Sequence, residues 1–251
     1  MKLEIKGIIL KEVNYRENDK ILTVLTDDRG IITVKARRCR MLKNTANAGL
    51  QMFSYGRFTL YESKVGYTVC ESEIQEMFWD VRGDLMLLSL AGYFCELTLN
   101  LSPESNVCKD YLRLLLNSLF YLSNKKRNPL LIKSIFEMKS CSLCGYLPNL
   151  IACKMCGVYK SGKILFDVKN AIMICEKCIK KCGYSDNGYA LSEGIIFALR
   201  HIVYSPIDKL FSFEISDKAI KKISEICESY VKMHVSPDFN SLNFYNSLNL
   251  V

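Results

Sequence analysis

The run from Cys141 to Cys182 constrains the fold more than any other part of the chain. It contains Cys-Ser-Leu-Cys-Gly, Cys-Lys-Met-Cys-Gly and Cys-Glu-Lys-Cys. Eighteen residues separate Cys156 from Cys175, a spacing that suits a four-thiolate zinc site. A Cys-x-x-Cys turn aims two sulfurs at one ion, and glycine after the second Cys permits a positive φ. Lys163–Val168 and Ala171–Ile174 read as short strands joined at Lys169-Asn170. A knuckle, a hairpin and a second knuckle would then bring Cys153, Cys156, Cys175 and Cys178 together. Cys141 and Cys144 fall at the end of an amphipathic helix and read as packing or a spare pair, with Cys182 a weaker alternative ligand. Four protein ligands leave no open position, so the expected metal is structural Zn²⁺, with iron on the same ligands as the alternative.

The remaining sequence divides near Trp79. Residues 1–80 read as strands at Leu3–Leu10, Asp19–Thr26, Ile31–Arg37, Gln51–Tyr61 and Val65–Ser72, bounded by turn residues such as Asp27-Asp28-Arg29-Gly30. Five short strands suit an oligonucleotide-binding (OB) barrel, with an SH3-like barrel as the alternative. Residues 81–251 read as helical. Apolar residues recur at helical spacing over Leu85–Leu101. Ser102-Pro103 and Asn128-Pro129 each offer an N-cap with proline at the first helical position. Ser192–Val203 and Ser216–Val235 give two more helices, whereas Ser236–Val251 shows no clear period. The fold class is therefore α+β: an OB barrel (1–80), then a helical domain (81–251) with a zinc-knuckle insertion at 153–178. The N-terminus alternates like a strand rather than an export signal, and Ser89, Glu96 and Asn100 interrupt the longest apolar stretch. The expected compartment is the cytoplasm, with no membrane partner.

The net charge is +8, which favours an anionic partner. From Arg29 to Lys43 there are six basic residues and no acidic one: Arg29, Lys35, Arg37, Arg38, Arg40 and Lys43. Alternation puts Ile32, Val34 and Ala36 toward the core and Thr33, Lys35 and Arg37 outward. On the fourth strand Phe53, Tyr55, Arg57 and Tyr61 share one face, where rings can stack bases and the guanidinium can meet phosphate. The competing reading buries Phe53 and Tyr55. No Walker loop or dinucleotide glycine pattern is present, and the expectation is a binding protein rather than an enzyme. Glu17 and Asp19 read as acids shaping a turn, with a two-carboxylate nuclease as a rival. A zinc-containing scaffold whose barrel binds protein is the other.

Several strings occur in a telling order: Lys6–Lys11 (KGIILK), Tyr15–Leu22 (YRENDKIL), Thr26–Gly30 (TDDRG), Ala36–Arg40 (ARRCR), Leu50–Phe53 (LQMF), Phe136–Lys139 (FEMK) and Gly145–Leu150 (GYLPNL). Together with the two knuckles they resemble the bacterial RecO family of DNA repair proteins over nearly the whole chain. The resemblance implies an OB barrel and a zinc-bearing helical domain. It also implies binding of single- and double-stranded DNA, and annealing of complementary strands, including those coated by single-stranded-DNA-binding protein. With RecR, such a protein helps to load RecA, acting near the nucleoid. The family's zinc cysteines match Cys153, Cys156, Cys175 and Cys178, and it carries aliphatic residues where this chain has Cys141 and Cys144. Some members lack complete zinc ligands, which separates metal from DNA binding. The chain lacks a glycine that many members have near Arg38, which leaves the loop path and the contacts of Arg37 and Arg38 open.

Overall fold

The computed structural model describes residues 1–39, 49–183 and 188–248. Five strands, β1 (Lys2–Tyr15), β2 (Asp19–Thr26), β3 (Ile31–Ala36), β4 (Tyr55–Ser63) and β5 (Gly66–Glu76), close into a barrel of order β1-β2-β3-β5-β4. The β3–β5 pair is parallel and the other pairs are antiparallel, which is the topology of an OB-fold. Alternation fills the interior with Ile5, Ile9, Leu22, Val24, Val34, Ala36, Phe58 and Leu60, each contributing about 1.5–3 kcal/mol by leaving water, less for alanine. Gly7 and Gly56 face each other across β1 and β4. A Cβ on Gly56 would meet the Glu73 carbonyl oxygen at 2.2 Å, and one on Gly7 the Leu25 oxygen at 2.6 Å. These glycines let adjoining backbones come close where the barrel bends.

Strand ends depart from the sequence reading. β1 continues to Tyr15 past an irregularity between Ile9 and Lys11. The fourth strand begins at Tyr55, not Gln51, because Phe53 sits at φ 70° and donates its N–H to the Ile9 carbonyl at 2.8 Å. β3 ends at Ala36, so Arg37 lies just beyond it.

Helices α1 (Trp79–Arg82), α2 (Leu85–Leu101) and α3 (Cys108–Ser123) follow. Asp84 caps α2 by accepting the Met86 and Leu87 N–H groups. Ser102 does not open α3. It closes α2 in the left-handed region at φ 44°, and the next helix starts six residues later. The chain then forms α4 (Pro129–Leu143), β6 (Asn149–Cys153), β7 (Ile164–Asp167), β8 (Ile172–Cys175), α5 (Glu176–Cys182), β9 (Tyr189–Leu191), α6 (Glu193–Tyr204), α7 (Asp217–His234) and α8 (Asn240–Leu248). Asn128 and Ser216 cap α4 and α7 as their sequence positions predict. The segment β6–β9 makes a sheet of order β6-β8-β7-β9.

Backbone contacts gather the barrel, α1–α3 and α8 into one compact unit and Lys125–Phe239 into a second. In the first, the Glu96 carboxylate accepts the Asn240 and Ser241 N–H groups at 3.1 and 2.9 Å, so α8 takes its N-terminal cap from α2. In the second, α4 and α7 pack through an ion network. Lys133 lies 2.9 Å from both Glu137 and Glu228, and Glu228 lies 2.8 Å from Lys232. Lys139 donates to the Val203 and Ser205 carbonyls at 2.9 and 2.8 Å, satisfying the C-terminal end of α6. The Phe136–Lys139 string thus holds helices together. Among the described residues no helix is long and apolar enough to cross a membrane.

Candidate metal centre and nucleic-acid interface

The β7–β8 hairpin forms where the sequence places it, with its turn shaped by Asp167. The carboxylate accepts the Asn170 backbone N–H at 3.0 Å and the side-chain amide at 2.7 Å. Cys153 ends β6, Cys156 lies in the following turn, Cys175 ends β8, and Cys178 sits in α5. Their four sulfurs all lie within 4.8 Å of one another. Cys156 and Cys175 Sγ are 3.6 Å apart, close to the ~3.8 Å edge of a tetrahedron with 2.3 Å zinc–sulfur bonds. The four residues could hold a metal ion, and among the described residues no other group of His, Cys, Asp or Glu gathers in this way. Cys141 is buried in α4, Cys144 caps that helix, and Cys182 is exposed at the end of α5.

The surroundings favour thiolate at Cys153. Burial raises the Cys153 thiol, but N–H groups of Cys175, Cys156 and Met155, with the Cys156 thiol, outweigh it and hold Cys153 at about 6. The Cys175 N–H donates to Cys153 Sγ at 3.3 Å. Cys178 is pushed up, first by its hydrogen bond with Cys156 and then by burial. Without a cation, one anionic sulfur makes a second unfavourable. The core around the four sulfurs is small, comprising Cys153, Ile174, Cys175 and Cys178 flanked by Ile172 and Ile179.

The barrel distributes the basic residues unevenly. Arg29 is exposed at the β2–β3 turn, 3.6 Å from Asp28. Gly30 at φ 70° and hydrogen bonds to Thr26 shape that turn. Lys35 is half-buried, 3.4 Å from Asp19 and 4.9 Å from the Tyr15 ring centroid. Asp19 also accepts the Arg38 backbone N–H at 2.9 Å. That bond chiefly, with Lys35, holds its carboxyl below the usual range. Asp19 therefore fixes where the chain leaves β3. Arg37 and Arg38 are exposed, and among the described residues Arg37 has no ion-pair partner. Arg40 and Lys43 lie outside the described residues.

The predicted face of β4 is not assembled as one surface. Phe53 is buried, beneath the Arg82 guanidinium, which also donates to Met52 O and Gln51 Oε1. Tyr55 is half-buried, opposite Ile8 and Glu76. Arg57 is exposed between Lys6 on β1 and Glu73 on β5, within a face of mixed charge. A groove of about 500 Å³ instead opens over β2 and β3. It is lined by Tyr15, Ile21, Ile32, Thr33, Lys35, Val65, Gly66 and Tyr67. Arg16 lies 5.3 Å from the Tyr15 ring centroid, and Val65 is 98% exposed at the tip of the β4–β5 turn. This is the side on which OB-folds take oligonucleotides, between strands 2–3 and the adjoining loops. Sequence reading missed Tyr15 and Tyr67. For Tyr15 the available signal was a tyrosine among exposed polar residues at a strand end; Tyr67, between Val65-Gly66 and Thr68-Val69, carried no such signal.

Comparison with known proteins agrees with this architecture. Residues 1–78 match the family profile "Recombination protein O N terminal", and residues 82–243 match "Recombination protein O C terminal". The chain belongs to the RecO family. It is 32% identical over 250 residues to the DNA repair protein RecO of Acetivibrio thermocellus, covering 99% of this chain and 98% of the relative. The RecO of Caldicellulosiruptor bescii is 32% identical, with 97% of each covered. That of Bacillus pumilus is 30% identical, with 99% and 95% covered. Membership of the RecO family supports a role in DNA repair. The two profiles divide the chain near residue 80, whereas the compact units divide near residue 124.

Proposed function

We propose that this RecO-family protein binds single- and double-stranded DNA and anneals complementary strands as a recombination mediator. With RecR it would help to load RecA onto DNA coated by single-stranded-DNA-binding protein, in the cytoplasm at the nucleoid. The observation that carries this reading is the groove over β2–β3, which Tyr15, Tyr67 and Lys35 line and where the Tyr15 ring lies beside Lys35. Arg16, Arg37 and Arg38 lie exposed at the neighbouring strand ends. Rings stack on bases without regard to sequence, and guanidinium groups neutralise phosphates by displacing counterions.

Lys35 and Arg29 have carboxylate neighbours, but such pairs near the surface are worth at most about 1 kcal/mol. A phosphate can replace either carboxylate. Two strands repel through their backbones, and a cationic surface holding both lowers that repulsion and raises their local concentration. Base pairing supplies the driving force, so the reaction requires no nucleotide. Cys153, Cys156, Cys175 and Cys178 would hold Zn²⁺, whose charge stabilises the gathered thiolates and closes the lobe.

Annealing of complementary oligonucleotides without magnesium or ATP is the test. The protein is expected to accelerate duplex formation and leave strand lengths unchanged. A protein-binding scaffold would produce no acceleration, and a nuclease would need a metal and shorten the strands. Either outcome would refute the proposal.

A further inference from the structure

A second groove, of about 580 Å³, lies within the Lys125–Phe239 unit, between α6 and the lobe at 149–183 that carries the four cysteines. Its lining includes the rings of Tyr159, Phe197 and Tyr204, the cations Lys160 and Arg200, and one carboxylate, Glu193. Phe197 is 62% exposed, Tyr159 53% and Tyr204 44%. A helix face facing only water rarely carries rings at positions 197 and 204, two turns apart. These rings are held in place. The Arg200 guanidinium stacks on Tyr159 at 4.0 Å and donates to the Leu150, Ile151 and Tyr159 carbonyls at 2.7, 2.7 and 3.2 Å. The Tyr204 hydroxyl donates to the Pro148 carbonyl at 3.2 Å and accepts the Leu150 N–H at 3.1 Å. Among the described residues Arg200 has no salt-bridge partner, and its positive charge is offset by carbonyl dipoles and the Tyr159 ring face.

The segment that supplies the opposite wall carries net positive charge, and Lys160 is the lysine it places in the groove lining. Between Asn149 and Gly183 there are seven lysines and two acids. Of the acids, Glu176 pairs with Lys180 at 2.8 Å, and Asp167 shapes the hairpin turn. The negative charge of a zinc tetrathiolate would still leave the lobe positive. Ring faces inside a groove, beside Lys160 and a guanidinium without a carboxylate partner, match a polyanion with flat apolar plates. We infer that this groove is a second single-stranded nucleic-acid subsite, in which bases stack on Phe197 and its neighbours while Lys160 and Arg200 face phosphate. The inference rests on the DNA-binding reading above and deepens it, because annealing requires hold of two strands. Duplex DNA does not fit this chemistry, since its base faces are already covered.

Phe197 is the informative position because it is exposed and no hydrogen bond of the groove depends on it. Phe197→Ala in the full chain is expected to weaken binding of a thymidine oligonucleotide about tenfold with the salt slope unchanged, as for a lost stack. Phe197→Trp should restore affinity. With Trp79→Phe removing the native indole, its fluorescence should be quenched by the oligonucleotide. Wild-type affinity in Phe197→Ala, alongside weakened binding by barrel variants, would overturn this inference alone. Quenching by an acidic aromatic peptide but not by DNA would overturn it in favour of a protein-docking groove. Absence of any oligonucleotide affinity in the unaltered protein would overturn both proposals.

Discussion

Replacing Cys153 and Cys156 together with serine is expected to give insoluble protein, and chelation under denaturing conditions should release one zinc per chain from the unaltered protein. Four sulfurs within 4.8 Å would crowd anions without a cation. The core around these sulfurs is built largely from the cysteines themselves. Where a site forms only on folding, metal binding is folding free energy, about 10–16 kcal/mol in zinc-finger peptides. Hydrophobic burial around Ile172, Ile174 and Ile179 cannot replace that amount at about 1.5–3 kcal/mol per side chain. Sedimentation and a colorimetric zinc assay measure both outcomes. A soluble, metal-free, normally folded double variant would refute the structural role.

Lys133→Met is expected to destabilise the second unit by about 3–5 kcal/mol, because it leaves Glu137 buried beside an apolar side chain. Lys133 is 1% exposed and Glu137 0%. Lys133→Met combined with Glu137→Leu should recover most of that loss, since an apolar pair of similar volume has no charge to desolvate. Urea unfolding of the three proteins distinguishes these results, and equal stability of the single and double variants would contradict the account.

The network also sets a pH window. Burial opposes charge on Lys133, yet Glu137 and Glu228 outweigh it and raise its pKa. Its contribution is therefore present below the ordinary lysine value and lost as pH rises through the folded value. Burial likewise opposes charge on Glu228, but Lys133 and Lys232 lower its pKa. That contribution is present above the ordinary glutamate value and lost as pH falls through the folded one.

What the sequence made legible was local. Alternation in Ile31–Ala36 assigned Ile32, Val34 and Ala36 to the core and Thr33 outward; Val34 and Ala36 are buried and Thr33 exposed, while Ile32 is half-buried against the core. Asn128-Pro129 and Ser216 marked helix starts because a cap depends on residues within one turn. Cysteine spacing brought out the knuckles for the same reason. Features made by distant partners were not legible. α8 lacks periodicity and receives its cap from Glu96, over 140 residues away. β9 contributes three residues paired to β7, and nothing in Tyr189–Leu191 alone demands a strand. Phe53 reads either as an exposed strand residue or as core, and only its left-handed turn decides, burying it under Arg82. Tyr15 and Tyr67 meet in one groove only because the barrel pairs β3 with β5.

Binding of a thymidine oligonucleotide across a salt series most directly tests whether cations at the end of β3 hold the DNA backbone. The unaltered protein should show a steep decline of log affinity with log salt. In the variant with Arg37, Arg38, Arg40 and Lys43 all replaced by alanine, binding should weaken and the slope flatten by up to about 3, at roughly 0.7 per neutralised phosphate on a single strand. The same slope in both proteins would contradict the account and move the phosphate contacts away from the barrel.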